Sequence, residues 1–183
     1  MELKEINSLV ELFFKKYEEK TCNDFEKSKE LFLTSLKNKN LPNTLSGPHT
    51  YSWGDIHIKI NILSNYLRKI ISKGDRCILL SENSPEWLIS DIGIMNAGGV
   101  TVPLFTTYSQ NDYEYIIKDC EPKVCIVSDI EQFKKIKNYI TEKTIIISIN
   151  QFDKKIESFE NIFLEAKITL KTPKESDVQY NKK

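Results

Sequence analysis

No stretch of this 183-residue chain approaches the ~20 consecutive apolar residues that a membrane-spanning helix requires. The longest aliphatic runs, such as Ile145-Ile146-Ile147, suit one short buried strand, so no transmembrane segment is expected. The N-terminus, Met1-Glu2-Leu3-Lys4-Glu5, lacks the basic-then-apolar order of a secretory signal. Neither sign of charge is in excess: Lys plus Arg and Asp plus Glu number 26 each. Binding to nucleic acid or anionic lipid usually rests on a positive surplus, so no nucleic-acid partner is expected. The lysines are spread along the chain (Lys15, Lys37, Lys69, Lys118, Lys135, Lys154, Lys171) and read as solvated faces. Cysteine is sparse: Cys22, Cys77, Cys120 and Cys125 include no C-x-x-C pair, and neither His49 nor His57 lies at metal-ligand spacing from them. No metal site and no disulfide framework is therefore assigned. Cys77 and Cys125 fall inside apolar runs, as reduced, buried thiols do, and the expected location is cytoplasmic.

What the chain does have is a globular balance of 40% apolar and 28% charged residues, enough for one domain with a hydrophobic core. From Leu3 to about Lys37 the spacing is helical, with Leu9, Leu12, Phe13 and Phe14 on one face and Leu31, Phe32 and Leu36 repeating the theme. A loop marked by Pro42, Gly47 and Pro48 follows. Ser52 and Asp55 form the start of a capping box, and the stripe Ile58, Ile62, Leu63, Tyr66, Leu67, Ile70, Ile71 predicts a helix that Gly74 ends. Cys77-Ile78-Leu79-Leu80 is a short apolar run, the mark of a strand covered on both faces. Ser84 before Pro85 starts a helix to about Ala97, Gly98-Gly99 closes it, and Val100 to Leu104 is the next strand.

The cycle then repeats. Ser109 and Asp112 cap a helix carrying Tyr113, Ile116 and Ile117, and Val124 to Val127 is a strand. Ser128 caps a helix through Tyr139, and Thr144 to Ile149 is a fourth strand. Strands alternating with helices predict an α/β fold: a parallel sheet of about four strands with flanking helices, preceded by an N-terminal helical segment. The expected organisation is residues 1–50 as the helical segment and loop, 51–170 as the α/β domain and 171–183 as a loose tail. Phe159, Ile162, Phe163 and Ala166 mark a last amphipathic helix within the second of these.

In an open parallel sheet, ligands sit beyond the carboxyl ends of the strands. The first exit, Ser81-Glu82-Asn83-Ser84, holds no glycine and cannot form a phosphate cradle. The hydroxyls of Phe105-Thr106-Thr107-Tyr108-Ser109 are explained by turn and cap chemistry. Ser128-Asp129 places an acid after a strand, as a phosphate-accepting receiver domain does, but Glu82 is the only other acid in reach. His57 reads as a surface histidine, and Trp53 and Trp87 as core anchors at helix starts. No catalytic, cofactor-binding or metal-binding residue is assigned.

The stretch from Tyr51 to Asp129 resembles the N-terminal region of long-chain fatty-acid acyl-CoA synthetases, in the AMP-dependent, adenylate-forming synthetase and ligase family. The residues that carry it are Tyr51-Ser52-Trp53-Gly54-Asp55, Lys73-Gly74-Asp75-Arg76, Ser81-Glu82-Asn83-Ser84-Pro85-Glu86-Trp87 and Ala97-Gly98-Gly99-Val100-Thr101-Val102-Pro103-Leu104. The resemblance implies a two-step ligase in which a fatty acid attacks ATP to give an acyl-adenylate and coenzyme A then displaces AMP. ATP, Mg²⁺ and coenzyme A are implied for the full-length family, with a Ser/Thr- and Gly-rich phosphate loop and a mobile C-terminal domain. Neither motif is found in this chain, where a family-like segment, Glu175-Ser176-Asp177-Val178, is followed by Gln179-Tyr180-Asn181-Lys182-Lys183. The expectation is a truncated fatty-acid–CoA ligase, inactive alone and without cofactor of its own. Two alternatives stand beside it: the N-terminal half of a split ligase working with a second chain, and a non-catalytic α/β binding module.

Overall fold

Short polar signals decide where this backbone changes from strand to helix, and the computed structural model, which describes residues 9–21, 31–34 and 50–171, places most of them as the sequence predicts. The Ser52 hydroxyl accepts from the Asp55 amide at 3.1 Å while the Asp55 carboxylate accepts from the Ser52 amide at 3.0 Å. That reciprocal pair ends strand β2 (Thr50–Ser52) and opens helix α2 (Trp53–Leu67). After strand β3 (Arg76–Leu80), Ser84 caps helix α3 (Pro85–Asn96), with proline at the first turn where no amide partner is needed. Strand β4 (Val100–Leu104) leads to a second capping box, Ser109 with Asp112, and to helix α4 (Gln110–Cys120). Strand β5 (Val124–Val127), helix α5 (Ile130–Ile136), strand β6 (Ile145–Ser148), strand β7 (Glu157–Ser158) and helix α6 (Phe159–Lys171) complete the unit.

The main sheet has the order β4-β3-β5-β6-β7, and every pairing in it is parallel. β3 lies inside it, with Leu79 opposite Pro103 on one side and Ile126 on the other. Its residues Cys77 to Leu80 are all buried, which explains an apolar run without alternation. Cys77, Leu79, Val124, Ile126 and Ile147 point to one face and pack against Ile56, Ile60, Leu63 and Leu67 of α2, Ile89 and Ile92 of α3, and Phe159 and Ile162 of α6. Ile78, Leu80, Cys125 and Val127 point to the other, against Tyr113 and Ile117 of α4 and Ile136 of α5. The result is three layers, helix on sheet on helix.

Two glycine turns clasp each other at the amino ends of β3 and β4. Gly74 (φ +87°) donates its amide to the carbonyl of Gly98 (φ +93°) at 2.9 Å, and the Val100 amide donates to the Asp75 carbonyl at 2.9 Å. Positive φ at both positions is what selects glycine there. The Val100 contact also fixes the parity of β4: residues 100, 102 and 104 aim their backbone groups at β3, and 101 and 103 aim outward. Proline at 103 therefore removes a donor only from the open edge, which discourages strand addition.

Several expectations are corrected. Leu31–Thr34, read as helical, is strand β1, paired antiparallel with β2; a four-residue apolar run fits either period, and the partner strand decides. Within the described residues helix α1 covers Leu9–Thr21, and the rest of the stretch read as helical, Leu36 included, lies outside them apart from β1. α2 ends at Leu67, with Arg68 as its cap, so Ile70 and Ile71 follow in turns and Gly74 shapes the approach to β3 rather than the helix end. The cap of α5 is Asp129, not Ser128, and the helix stops at Ile136, short of Tyr139. A fifth strand, β7, joins the parallel sheet, too short to leave a pattern in the sequence. The tail beyond Lys171 lies outside the described residues.

Candidate functional site

At the carboxyl ends of β3, β4 and β5 three loops meet, and each is first occupied with its own cap. Ser84 accepts from the Trp87 amide at 3.2 Å, and Ser81 donates to the Glu82 carbonyl at 3.0 Å. The Ser109 hydroxyl donates to the Asp112 carboxylate at 2.7 Å, and these bonds hold the Asp112 carboxyl below the usual carboxylate range. Asp129 accepts from the amides of Glu131 and Gln132 at 2.9 and 3.1 Å. The local sequence thus uses its serines and aspartates to start helices.

A second set of bonds ties the loops to one another. Gln132, on α5, donates to the Glu82 carboxylate at 2.6 Å and accepts from Lys135 at 2.8 Å. Lys135 also donates to the Thr106 carbonyl at 2.7 Å. The wholly buried Tyr113 sends its hydroxyl to the Phe105 carbonyl at 2.8 Å. Glu82, Gln132, Lys135 and Thr106 form one chain of hydrogen bonds across three strand exits.

Between the β3 and β4 exits lies a cleft of about 360 Å³. Trp87, Pro103, Leu104 and Phe105 supply its apolar walls; Ser81, Glu82, Asn83, Thr106 and Thr107 supply the polar ones. Among the described residues Glu82 is its one ionisable group, and no described lysine, arginine or histidine lines it. A second, more open concavity of about 610 Å³, beside β7, is bordered by Gln151, Phe152, Asp153, Lys154 and Asn161. Neither arrangement puts a nucleophile beside a base. Among the described residues no group of three or more His, Cys, Asp or Glu could hold a metal ion. Among the described residues a triphosphate does not fit the rim: no glycine cradle lines it, the Lys135 ammonium already serves Thr106 and Gln132, and a carboxylate stands in the wall. No step through ATP or Mg²⁺ is derived from these residues.

The residues weighed in the sequence fall as follows. Trp53 packs against Phe13 of α1 with ring centroids 6.1 Å apart, and both Trp53 and Trp87 border the first core cluster. His57, expected at the surface from its place in the helix, is half-buried there, covered on one side by rings of α1. Its ring stacks on Tyr17 at 4.2 Å and 6°, meets the Phe14 edge at 5.3 Å, and lies 3.2 Å from the Asn61 amide nitrogen. Burial there lowers its pKa, against a smaller raising effect of Glu18. Cys77, Cys120 and Cys125 are free and buried, and Cys22 lies outside the described residues. Sequence reasoning missed Gln132 and Lys135, since a glutamine and a lysine three residues apart on a helix look like any solvated face. It also missed the hydrogen bond from the Tyr51 hydroxyl to Glu86, which spans 35 positions and, after burial, raises the phenol pKa.

The profile of the AMP-binding enzyme family matches residues 33–180. The chain is 35% identical over 88 residues to fatty acyl-CoA synthetase A of Dictyostelium discoideum, a match covering 47% of this chain and 13% of that protein. It is 32% identical over 75 residues to long-chain-fatty-acid–CoA ligase ACSBG1 of Rattus norvegicus, covering 41% of this chain and 10% of the relative. Among solved structures, a benzoate CoA ligase from Burkholderia xenovorans superposes with a TM-score of 0.62 at 14% identity, over 86% of this chain and 28% of that one. The Brucella canis acyl-CoA synthetase gives 0.61 at 17% identity, over 74% and 24%. These superpositions establish the fold. The matched segment is about a tenth of the length of the rat relative.

Proposed function

The chain belongs to the AMP-binding enzyme family, and we propose that its α/β unit is the scaffold portion of a long-chain fatty-acid–CoA ligase. It works in acyl-CoA formation only together with a phosphate-binding segment, on the same polypeptide or on a second one. The observation that carries this reading is the use made of the shared motifs. Ser52-Asp55 and Ser84-Pro85 are helix starts, Gly74 and Gly98 are the paired turns, and Pro103 guards the edge strand. Every one of these is a joint, and none presents a reactive group. ATP, Mg²⁺, coenzyme A and the fatty acid are substrates and cofactors of the assembled enzyme, held elsewhere.

Among the described residues no helix is long and apolar enough to cross a membrane. The free, buried thiols support a cytoplasmic location, where disulfides are rare.

The test is thioester formation from radiolabelled palmitate, ATP and coenzyme A. The chain alone should give none. Joined to or mixed with a polypeptide that carries the phosphate-binding segment and the rest of the ligase, it should give ATP-dependent product. Product from the chain alone would refute the scaffold reading, and a folded complementing polypeptide that restores nothing would refute the ligase reading.

A further inference from the structure

Asn61 leaves the His57 ring one protonation state in which to sit. The two residues are one turn apart on α2, and the Asn61 amide nitrogen donates to the His57 backbone carbonyl at 3.1 Å. The same nitrogen lies 3.2 Å from His57 Nε2. Turning the amide over would set its oxygen against that carbonyl, acceptor against acceptor, so the backbone bond fixes which end faces the ring. Nε2 therefore accepts, and the ring is neutral with its proton on Nδ1.

That ring is also what α1 rests on. Tyr17 lies almost parallel to it and Phe14 meets it edge-on, while Phe13 packs on Trp53, one turn earlier in α2. An imidazolium would turn Nε2 into a donor aimed at the Asn61 donor, and neither orientation of the amide satisfies both the ring and the backbone carbonyl. The charged ring has to swing away, and Tyr17 lies across its face. Two features favour the cation where it stands: the Glu18 carboxylate of α1 and the π face of Tyr17. Burial acts against them and outweighs Glu18. Among the described residues no charge from α2 itself, or from β1, β2, α3 and α6 packed around it, acts on the ring.

We propose that His57 and Asn61 form a proton-sensitive latch: the neutral ring, protonated at Nδ1, holds α1 on α2, and a proton taken from solvent by Nε2 releases it. The tautomer is read first, in the full chain, from long-range proton–nitrogen correlation spectra of the imidazoles, with His57→Gln separating its signals from those of His49. At pH 7.5 Nε2 should show the shift of an unprotonated nitrogen and Nδ1 that of a protonated one. Asn61→Asp then puts an acceptor where the donor stood. It should raise the midpoint of the His57 titration by at least one pH unit, a tenfold gain in proton affinity. At pH 5.5 it should also leave residues 9–21 at least fivefold better protected from amide exchange than in the parent.

An Nε2-protonated neutral ring in the parent at pH 7.5 would overturn the proposal without recourse to any variant. A midpoint that Asn61→Asp leaves unchanged or lowers, with circular dichroism showing the fold intact, would also overturn it. So would a fully formed imidazolium in the parent with α1 still protected, since the latch requires charge and docking to exclude each other.

Discussion

Gly93→Ala should destabilise the domain through one contact, and deleting that contact should reverse the sign. Gly93 lies within α3, where its missing side chain lets α2 approach. A Cβ placed there meets Leu63 Cδ2 at 2.9 Å, Cγ at 3.3 Å and Cβ at 3.5 Å. Leu63 is wholly buried and cannot swing into solvent. Two opposed effects set the outcome. Alanine is favoured over glycine inside a helix by about 1 kcal/mol. Overpacking a filled core costs typically ~1–3 kcal/mol, and the close Cγ means Leu63 yields only by leaving its rotamer. The net expectation is a loss of roughly 1 kcal/mol. Leu63→Ala alone should cost about 3 kcal/mol, within the usual range for a buried leucine. In that background the new methyl meets only the remaining Cβ at ordinary contact distance, and Gly93→Ala should stabilise by about 1 kcal/mol. The double variant then sits about 2 kcal/mol below the parent where additivity gives about 4, a coupling of about 2 kcal/mol. Urea titration of all four proteins, followed by far-ultraviolet circular dichroism, measures each value. An equal effect of Gly93→Ala in both backgrounds would refute the close approach of the two helices.

The docking of α1 should depend on pH through His57. Burial under Tyr17 and Phe14 lowers its pKa, so the docked state binds fewer protons than the free one. Docking is then complete above the ordinary histidine value of about 6.5 and weakens as pH falls below it. Amide protection factors over residues 9–21 should drop between pH 7.5 and 5 while those of β3 and β5 hold; a flat response, or the same drop in His57→Phe, counts against it. The three buried thiols should be inert in the folded protein. Burial pushes Cys77 up to about 12, with Asp75 adding to it, and burial also pushes Cys125 and Cys120 up. In a Cys22→Ser variant at pH 8, a thiol reagent should react slowly until denaturant is added. Stoichiometric labelling within seconds under native conditions would contradict the core position of these residues.

Where local chemistry settles local geometry, the sequence was a sufficient guide. Ser52-Asp55, Ser84-Pro85 and Ser109-Asp112 mark helix starts because each serine hydroxyl accepts from the amide three residues on, and Asp55 and Asp112 accept from the serine amide three residues back. The apolar runs at Cys77 and Val124 mark strands covered on both faces. Misreadings came where a distant partner decides. Leu31–Thr34 becomes a strand only because Thr50–Ser52 lies beside it. The two residues of β7 are defined by β6 alone. His57 looks polar on its own helix and is covered by rings from α1, some forty positions earlier.

The candidate site was least legible for the same reason. A site at the exits of a parallel sheet is assembled from loops far apart in the chain. The Gln132 to Glu82 bond spans 50 positions, and the Lys135 to Thr106 bond spans 29. Neither pair has a spacing rule that a sequence pattern could reveal. The bonds also say what the rim is for. Glu82 and Lys135, the acid and the cation best placed to act on a ligand, are joined through Gln132 and a backbone carbonyl, so both brace the loops. Around these braces the rim presents a mixed surface, with the exposed Phe105 ring and Pro103 beside the exposed polar Asn83 and Thr107. A rim whose acid and cation are held by one another's neighbours in this way has its charges committed to geometry, and reactive chemistry is not what its sequence-distant bonds provide.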